Sequence, residues 1–274
     1  MGKISDAFER YQKEKSMKVE TIPTATARDL KMQKAEPAAR GPIIHSAMSP
    51  KLVTLSAPES MEAENFKLLK AQVLFPKQGE VPKTILVTSA FPGEGKTYVS
   101  TNFAVSLAQG IDEHVLLVDC DLRKPTVHQM FGFPNSDGLY EYLTGQRGLS
   151  DLIFRTRVQK LSLITAGRSS SNPADLLGSV TMKSFLDEVK QRYLDRFIIV
   201  DAPPSQVTAE TNVLANYVDA IIFVVMALKT PRETIQRSIE NLGRNKVIGI
   251  VFNGYSQSRK PYYNHYKRYY GKST

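Results

Sequence analysis

The 274-residue chain is 42% hydrophobic and 23% charged, with 36 Lys/Arg against 27 Asp/Glu and a single cysteine, Cys120. That length supports one substantial α/β core plus tails; no apolar run nears the ~20 residues of a spanning helix, and one cysteine excludes an internal disulfide and makes a cytoplasmic home the default. The formal net charge of +9 lies at the ends: residues 1–60 hold ten basic and seven acidic side chains, 255–274 hold five basic and no acidic ones, and 61–254 hold 21 against 20, so no nucleic-acid-binding face is expected of the core.

Met1 to Asp6 leads into a charged stretch, so no secretory leader is expected, and Asp6 breaks the myristoylation pattern. Ile4, Phe8 and Tyr11 fall at helical spacing and predict a short amphipathic helix over 3–15. Residues 16–58 are rich in Ala, Pro, Thr, Lys and Met without periodicity, so 1–58 reads as a flexible arm and linker carrying that helix. Met61, Phe66, Leu69 and Val73 share a stripe that predicts a helix over 59–75, broken by Pro76 to Pro82. From Lys83 strand and helix patterns alternate. Strands are predicted over 85–89, 115–119, 161–166, 197–201, 220–226 and 247–252, with helices over 97–109, 138–143, 173–177, 181–193, 207–216 and 231–243. Continuous apolar strands between helices imply an α/β domain over 59–254, its mainly parallel sheet covered by helices on both faces. Ligands then gather at the carboxyl ends of the strands. Residues 255–274 form a separate tail.

Between the first predicted strand and its helix runs Ser89-Ala90-Phe91-Pro92-Gly93-Glu94-Gly95-Lys96-Thr97. Strand, glycine-bearing loop and helix grip a nucleoside triphosphate, because loop amides and the helix N-terminus point partial positive charge at phosphate oxygens. Pro92, Gly93, Glu94, Gly95, Lys96, Thr97 and Tyr98 are the candidate ATP-binding run; Lys96 would reach the β/γ-phosphates and the Thr97 hydroxyl would ligate Mg²⁺. Ala90 stands where the full pattern has glycine, and the structural alternative is a corner of small residues. The strand over 115–119 ends Asp119-Cys120-Asp121-Leu122-Arg123-Lys124, where a carboxylate can hold Mg²⁺, orient a hydroxyl or accept its proton; the alternative is an acidic turn capping the next segment. Asp201 ends the wholly apolar strand over 197–201, as a second metal-site carboxylate does.

The three motifs in this order resemble those of the bacterial tyrosine kinases of polysaccharide export (BY-kinases). Pro-Gly-Glu-Gly-Lys-Thr at 92–97 is similar to that family's first nucleotide motif, Val-Asp-Cys-Asp-Leu-Arg-Lys-Pro at 118–125 to its second and Ile-Ile-Val-Asp-Ala-Pro-Pro at 198–204 to its third. Asn172 to Leu177 resembles a further family segment, and the likeness spans about 59–270. The first 58 residues most resemble variants encoded beside exosortase-linked exopolysaccharide systems. The resemblance implies a P-loop NTPase fold, like that of MinD/ParA-type ATPases. It implies ATP and Mg²⁺, with Thr97, Asp119 and Asp201 at the metal, Lys96, Asp119 and Asp121 catalytic, and Asn253 holding adenine. The family's Glu-x-x-Arg-x-x-Arg oligomerisation helix is matched by Glu64, Lys67 and Lys70. Lysine cannot form arginine's bidentate fork, so a weaker homo-oligomer is expected; the plain alternative is a solvated helix face.

The tail carries Tyr255, Tyr262, Tyr263, Tyr266, Tyr269 and Tyr270 with no long apolar run to bury the last five. An exposed, flexible strip is expected, and a tethered phenol reaches a neighbouring site at high effective concentration. Each phosphate would add roughly −1.5 to −2 charges. The family resemblance makes Tyr262, Tyr263, Tyr266, Tyr269 and Tyr270 phosphoacceptors between subunits; the alternative is aromatic contact in an interface. It also implies a separate transmembrane polysaccharide chain-length regulator as activating partner, which places the chain peripheral to the membrane, at the inner face of the plasma membrane. The rival readings are a MinD/ParA-type positioning ATPase without protein kinase activity, against which Ala90 and Phe91 stand where that class carries Lys and Gly, and a nucleotide-regulated scaffold. Scattered histidines show no metal-ligand spacing, and the acids flanking Cys120 disfavour a reactive thiolate.

Overall fold

In the computed structural model, residues 47–193 and 195–255 are described. The helix predicted over 3–15 and the tyrosines at 262, 263, 266, 269 and 270 lie outside them. Seven strands form one sheet: β1 (Thr84–Ser89), β2 (His114–Asp119), β3 (Phe154–Arg155), β4 (Leu161–Ile164), β5 (Arg196–Asp201), β6 (Ala220–Met226) and β7 (Val247–Asn253), in the order β3-β4-β2-β5-β1-β6-β7. The pairings are parallel except β3 with β4. Strand residues divide by parity between two cores, as a period of two requires. Leu86, Leu116, Val118, Ile198, Val200, Ile221 and Phe223 point to one face; Ile85, Val87, Val115, Leu117, Ile199, Ile222 and Val224 point to the other.

Helices cover both faces. On the second lie α1 (Val53–Ser56), α2 (Met61–Leu74), α3 (Lys96–Ala108) and α4 (Val127–Phe131); on the first lie α5 (Leu139–Leu143), α6 (Leu149–Leu152), α7 (Pro173–Leu177), α8 (Val180–Arg192), α9 (Glu210–Tyr217) and α10 (Arg232–Leu242). Ser60 and Ser179 cap α2 and α8, each hydroxyl accepting an amide three residues on, from Ala63 and Met182 at 3.1 Å.

Three differences from the sequence reading have physical causes. The segment read as linker up to residue 58 is packed over its described end. Leu52 is buried, the Thr54 amide and hydroxyl donate to Asn102 Oδ1 at 3.2 and 3.1 Å, and Asn102 Nδ2 donates to the Lys51 carbonyl at 3.0 Å. A buried amide on α3 needs such partners, and α1 is too short to show a period. The strand expected over 161–166 stops at Ile164, because the Thr165 and Ala166 carbonyls accept the amides of Leu139 and Tyr140 that open α5. The helix expected from 207 begins at Glu210; residues 203–206 are held instead against β1, with the Ser205 and Gln206 amides donating to the Ser89 and Ala90 carbonyls.

At the opposite end of the sheet, Asp219 clamps the start of β1. Its Oδ2 accepts the amides of Lys83 and Thr84 at 3.1 and 2.9 Å and the Thr84 hydroxyl at 2.8 Å, while Oδ1 meets Lys190 Nζ at 2.5 Å. Partial burial pushes this carboxyl up, but Lys190 and Thr84 outweigh it and the net shift is downward. A depressed folded value contributes stability that is complete above the ordinary Asp value of ~3.9 and is lost as pH falls through the folded value. Asp219→Asn is expected to lower stability by about 1 kcal/mol at neutral pH. That deficit should shrink as pH drops below about 4, read by denaturant melts across the acid range.

Candidate active site

β1 runs straight into the loop at 90–95, and α3 begins at Lys96. Gly93 and Gly95 have φ of 81° and 90°, a left-handed conformation that costs an L-residue roughly 1–2 kcal/mol. At Gly95 a Cβ would also run into the Asn253 side-chain amide. Asn253 Nδ2 donates to the Glu94 carbonyl at 2.9 Å, so the end of β7 holds the loop from one side.

Glu94 holds it from within. A carboxylate aimed at a triphosphate would repel it; this one is 4% exposed and turned inward. Its Oε2 accepts the Phe91 amide at 2.7 Å, and its Oε1 accepts the Met226 amide at 3.2 Å and the Thr230 hydroxyl. Glu94 therefore belongs to the site through its backbone, its side chain shaping the loop. Nothing in the spacing of the sequence pointed to Thr230, which lies 136 residues away.

The three motifs meet at Lys96 and Thr97. Lys96 Nζ lies 2.7 Å from Asp121 Oδ2, with both side chains nearly buried. Thr97 Oγ1 donates to Asp201 Oδ2 at 2.7 Å and accepts from the Thr126 hydroxyl at 3.0 Å. Thr126 was not anticipated; it is brought in by the turn after β2. Asp119 organises that turn, since Oδ1 accepts the Asp121 amide at 3.1 Å and Oδ2 accepts the amides of Thr126 and Val127 at 3.2 and 3.1 Å. Asp121 Oδ1 accepts the Lys124 amide at 3.0 Å. Both oxygens of Asp119 are thus occupied by backbone, whereas Asp121 faces the lysine.

Burial pulls Lys96 down, but Asp201, Asp121 and Asp119 outweigh it and keep the ammonium charged. Asp119 is pushed up to about 8 by complete burial and by the charge of Asp201. Burial also raises Asp201, against the pull of Lys96 and the Thr97 bond. Burial and the same acids drive the Cys120 thiol well above its ordinary value, so it is no nucleophile.

The Asp201 Oδ1 atom is buried with no partner among the described residues, beside the Thr97 hydroxyl. A hydroxyl and one free carboxylate oxygen suit Mg²⁺, which keeps waters and takes few protein ligands alongside substrate phosphates. Among the described residues no group of three or more His, Cys, Asp or Glu is set to hold a metal ion by itself. Beside the loop, a cavity of about 610 Å³ is lined by Phe66, Leu69, Tyr98, Asn253 and Tyr255, among others. Glu64, Lys67 and Lys70, expected at an oligomer interface, lie on α2, where Lys67 Nζ meets Glu64 Oε1 at 2.6 Å across one helical turn.

The chain matches the AAA domain family over residues 82–243. It is 32% identical over 223 residues to the tyrosine-protein kinase YwqD of Bacillus subtilis (strain 168), covering 81% of this chain and 93% of that protein. The solved chimerical protein CapA2B2 has a TM-score of 0.70 at 28% identity, covering 79% of this chain and 95% of that one. The septum site-determining protein MinD of Pyrococcus horikoshii OT3, solved with Mg-ADP, shares the fold at a TM-score of 0.55 and 21% identity, over 65% of this chain and 72% of that one.

Gly95→Ala adds the αL penalty and displaces Asn253. Loss of at least about 1.4 kcal/mol from the phosphate site, a tenfold weaker affinity, is expected in titrations with a fluorescent ATP analogue, with the fold retained by circular dichroism.

Proposed function

The chain belongs to the bacterial tyrosine-protein kinases, and from that membership we propose that it transfers the γ-phosphoryl group of ATP to Tyr262, Tyr263, Tyr266, Tyr269 and Tyr270 of a neighbouring copy. The observation that carries this reading is the convergence of Lys96 with Asp121 and of Thr97 with Asp201, both at 2.7 Å. It unites the phosphate loop with the carboxylate that ends β5 and one in the turn after β2, the parts that phosphoryl transfer needs.

The amides from Gly93 to Thr97, at the end of the loop and the α3 N-terminus, cradle the phosphates. The cavity beside Tyr98 and Asn253 receives the base. Thr97 and Asp201 would hold Mg²⁺, which neutralises phosphate charge when bound. Lys96 exchanges Asp121 for phosphate oxygens, so nucleotide binding unmasks the Asp121 carboxylate. Asp121 then accepts the hydrogen bond, and later the proton, of the incoming phenol. Asp119 acts behind it by fixing the turn.

The Glu64, Lys67 and Lys70 face of α2 contributes the contact between copies. Lysine makes no bidentate fork with a carboxylate, so this contact is weaker than an arginine one; the exposed Lys67–Glu64 pair offers little competition. A separate transmembrane chain-length regulator recruits and activates the kinase at the inner face of the plasma membrane. The process served is exopolysaccharide synthesis and export.

Incubation with Mg-ATP followed by mass spectrometry of residues 256–274 tests this. Phosphotyrosine is expected in the wild type and none in Lys96→Met. ATP hydrolysis with an unmodified tail would overturn the reading in favour of a positioning ATPase. Asp121→Asn separates the two roles at the centre: turnover should fall about 100-fold or more for loss of a general base, while nucleotide affinity, measured by titration, holds or improves because Lys96 is no longer drawn to a carboxylate.

A further inference from the structure

The second acidic motif is also joined, by an ion pair that no motif predicts, to the helix that follows the third. Arg123, two residues past Asp121, donates from Nε to Glu210 Oε1 at 2.9 Å, and its Nη2 lies 2.8 Å from the same oxygen. Glu210 opens α9 and is 1% exposed; its Oε2 is buried without a partner among the described residues. A buried carboxylate served by one cation is costly to strand, so Arg123 is drawn to it. The stretch that presents Glu210 is itself firmly seated. The Thr208 and Thr211 hydroxyls donate to the Pro204 and Pro203 carbonyls at 3.0 and 2.7 Å, and the Ser205 and Gln206 amides donate to Ser89 and Ala90 at the root of the phosphate loop.

We propose that Arg123 and Glu210 are positioning residues that keep Asp121 in register once Lys96 has left it. The proposal rests on the kinase reading above, in which phosphate takes Lys96 away from Asp121. The turn then retains its inner backbone ties, Cys120 amide to Asp201 carbonyl at 2.8 Å and Ser170 amide to Leu122 carbonyl at 3.0 Å. On the outer limb, the Arg123–Glu210 pair joins the turn by its side chains to the element that follows Asp201. Neither residue is catalytic, and neither is part of the phosphate cradle. Their loss therefore acts on turnover and spares nucleotide affinity.

The test uses the full chain and variants that keep a polar group in place, because Arg123→Ala would strand Glu210 and threaten the fold. Glu210→Gln and Arg123→Gln are expected to lower kcat for tyrosine phosphorylation about 10- to 100-fold, the scale of a misplaced reacting group. KM for ATP and the affinity for a fluorescent ATP analogue should stay within about twofold. Arg123→Lys, which keeps the charge, should lose less than Arg123→Gln. Placed on Asp121→Asn, Glu210→Gln should add little, since the group it positions is already disabled. An unchanged kcat in folded Glu210→Gln, a loss that multiplies in full with Asp121→Asn, or an equal loss of nucleotide affinity would each overturn the proposal. If the wild type binds nucleotide but leaves its tail unmodified, the kinase reading alone fails; the pair is then judged by ATP hydrolysis in the same variants, where the same loss supports it and an unchanged rate refutes it.

Discussion

One buried cation set among three buried carboxylates organises this molecule. Asp119 and Asp201 end β2 and β5 and Asp121 lies two residues past β2; the Lys96 ammonium, the Thr97 hydroxyl and backbone amides together offset their burial. In a low-dielectric interior such a group is stable only if each charge is matched or each oxygen hydrogen-bonded. The parallel register creates the demand: β5 is flanked by β1 and β2, Asp119 lies directly across from Asp201, whose charge adds to burial in raising the Asp119 pKa, and Val87 near the root of the loop pairs with Asp201 too. What the arrangement leaves over is Asp201 Oδ1, unpartnered among the described residues, beside the Thr97 hydroxyl.

Much of the sheet was legible because its central strands are continuous apolar runs, and the same runs sort by parity into two cores. What escaped was short or set by distant partners. The pair of residues in β3 and the four-residue helices α1 and α6 lie below the length at which any period can be read. The boundary at Ile164 depends on which amides claim the next carbonyls, and those come from α5. Such choices are settled by tertiary structure rather than by local preference.

The site was legible in a different way. Lys96 and Thr97 open the helix after β1, Asp121 lies two residues past β2 and Asp201 ends β5, so the sequence puts them at one end of the sheet, and the fold brings them within hydrogen-bond reach. Asp119 shares that position but spends its oxygens on backbone amides, a distinction that needs coordinates. Thr126, Thr230 and Glu210 carry no local signature, since each acts on a residue far along the chain. The likeness to MinD at the level of fold shows why topology alone does not separate a kinase from a positioning ATPase.

The inward turn of Glu94 has a further thermodynamic meaning. Because its carboxylate fastens the segment to β6 and to Thr230, the curve of the loop at 90–95 is set by the protein's own bonds. A loop held in that way has little backbone entropy to surrender on association, so more of any intrinsic contact energy survives as affinity.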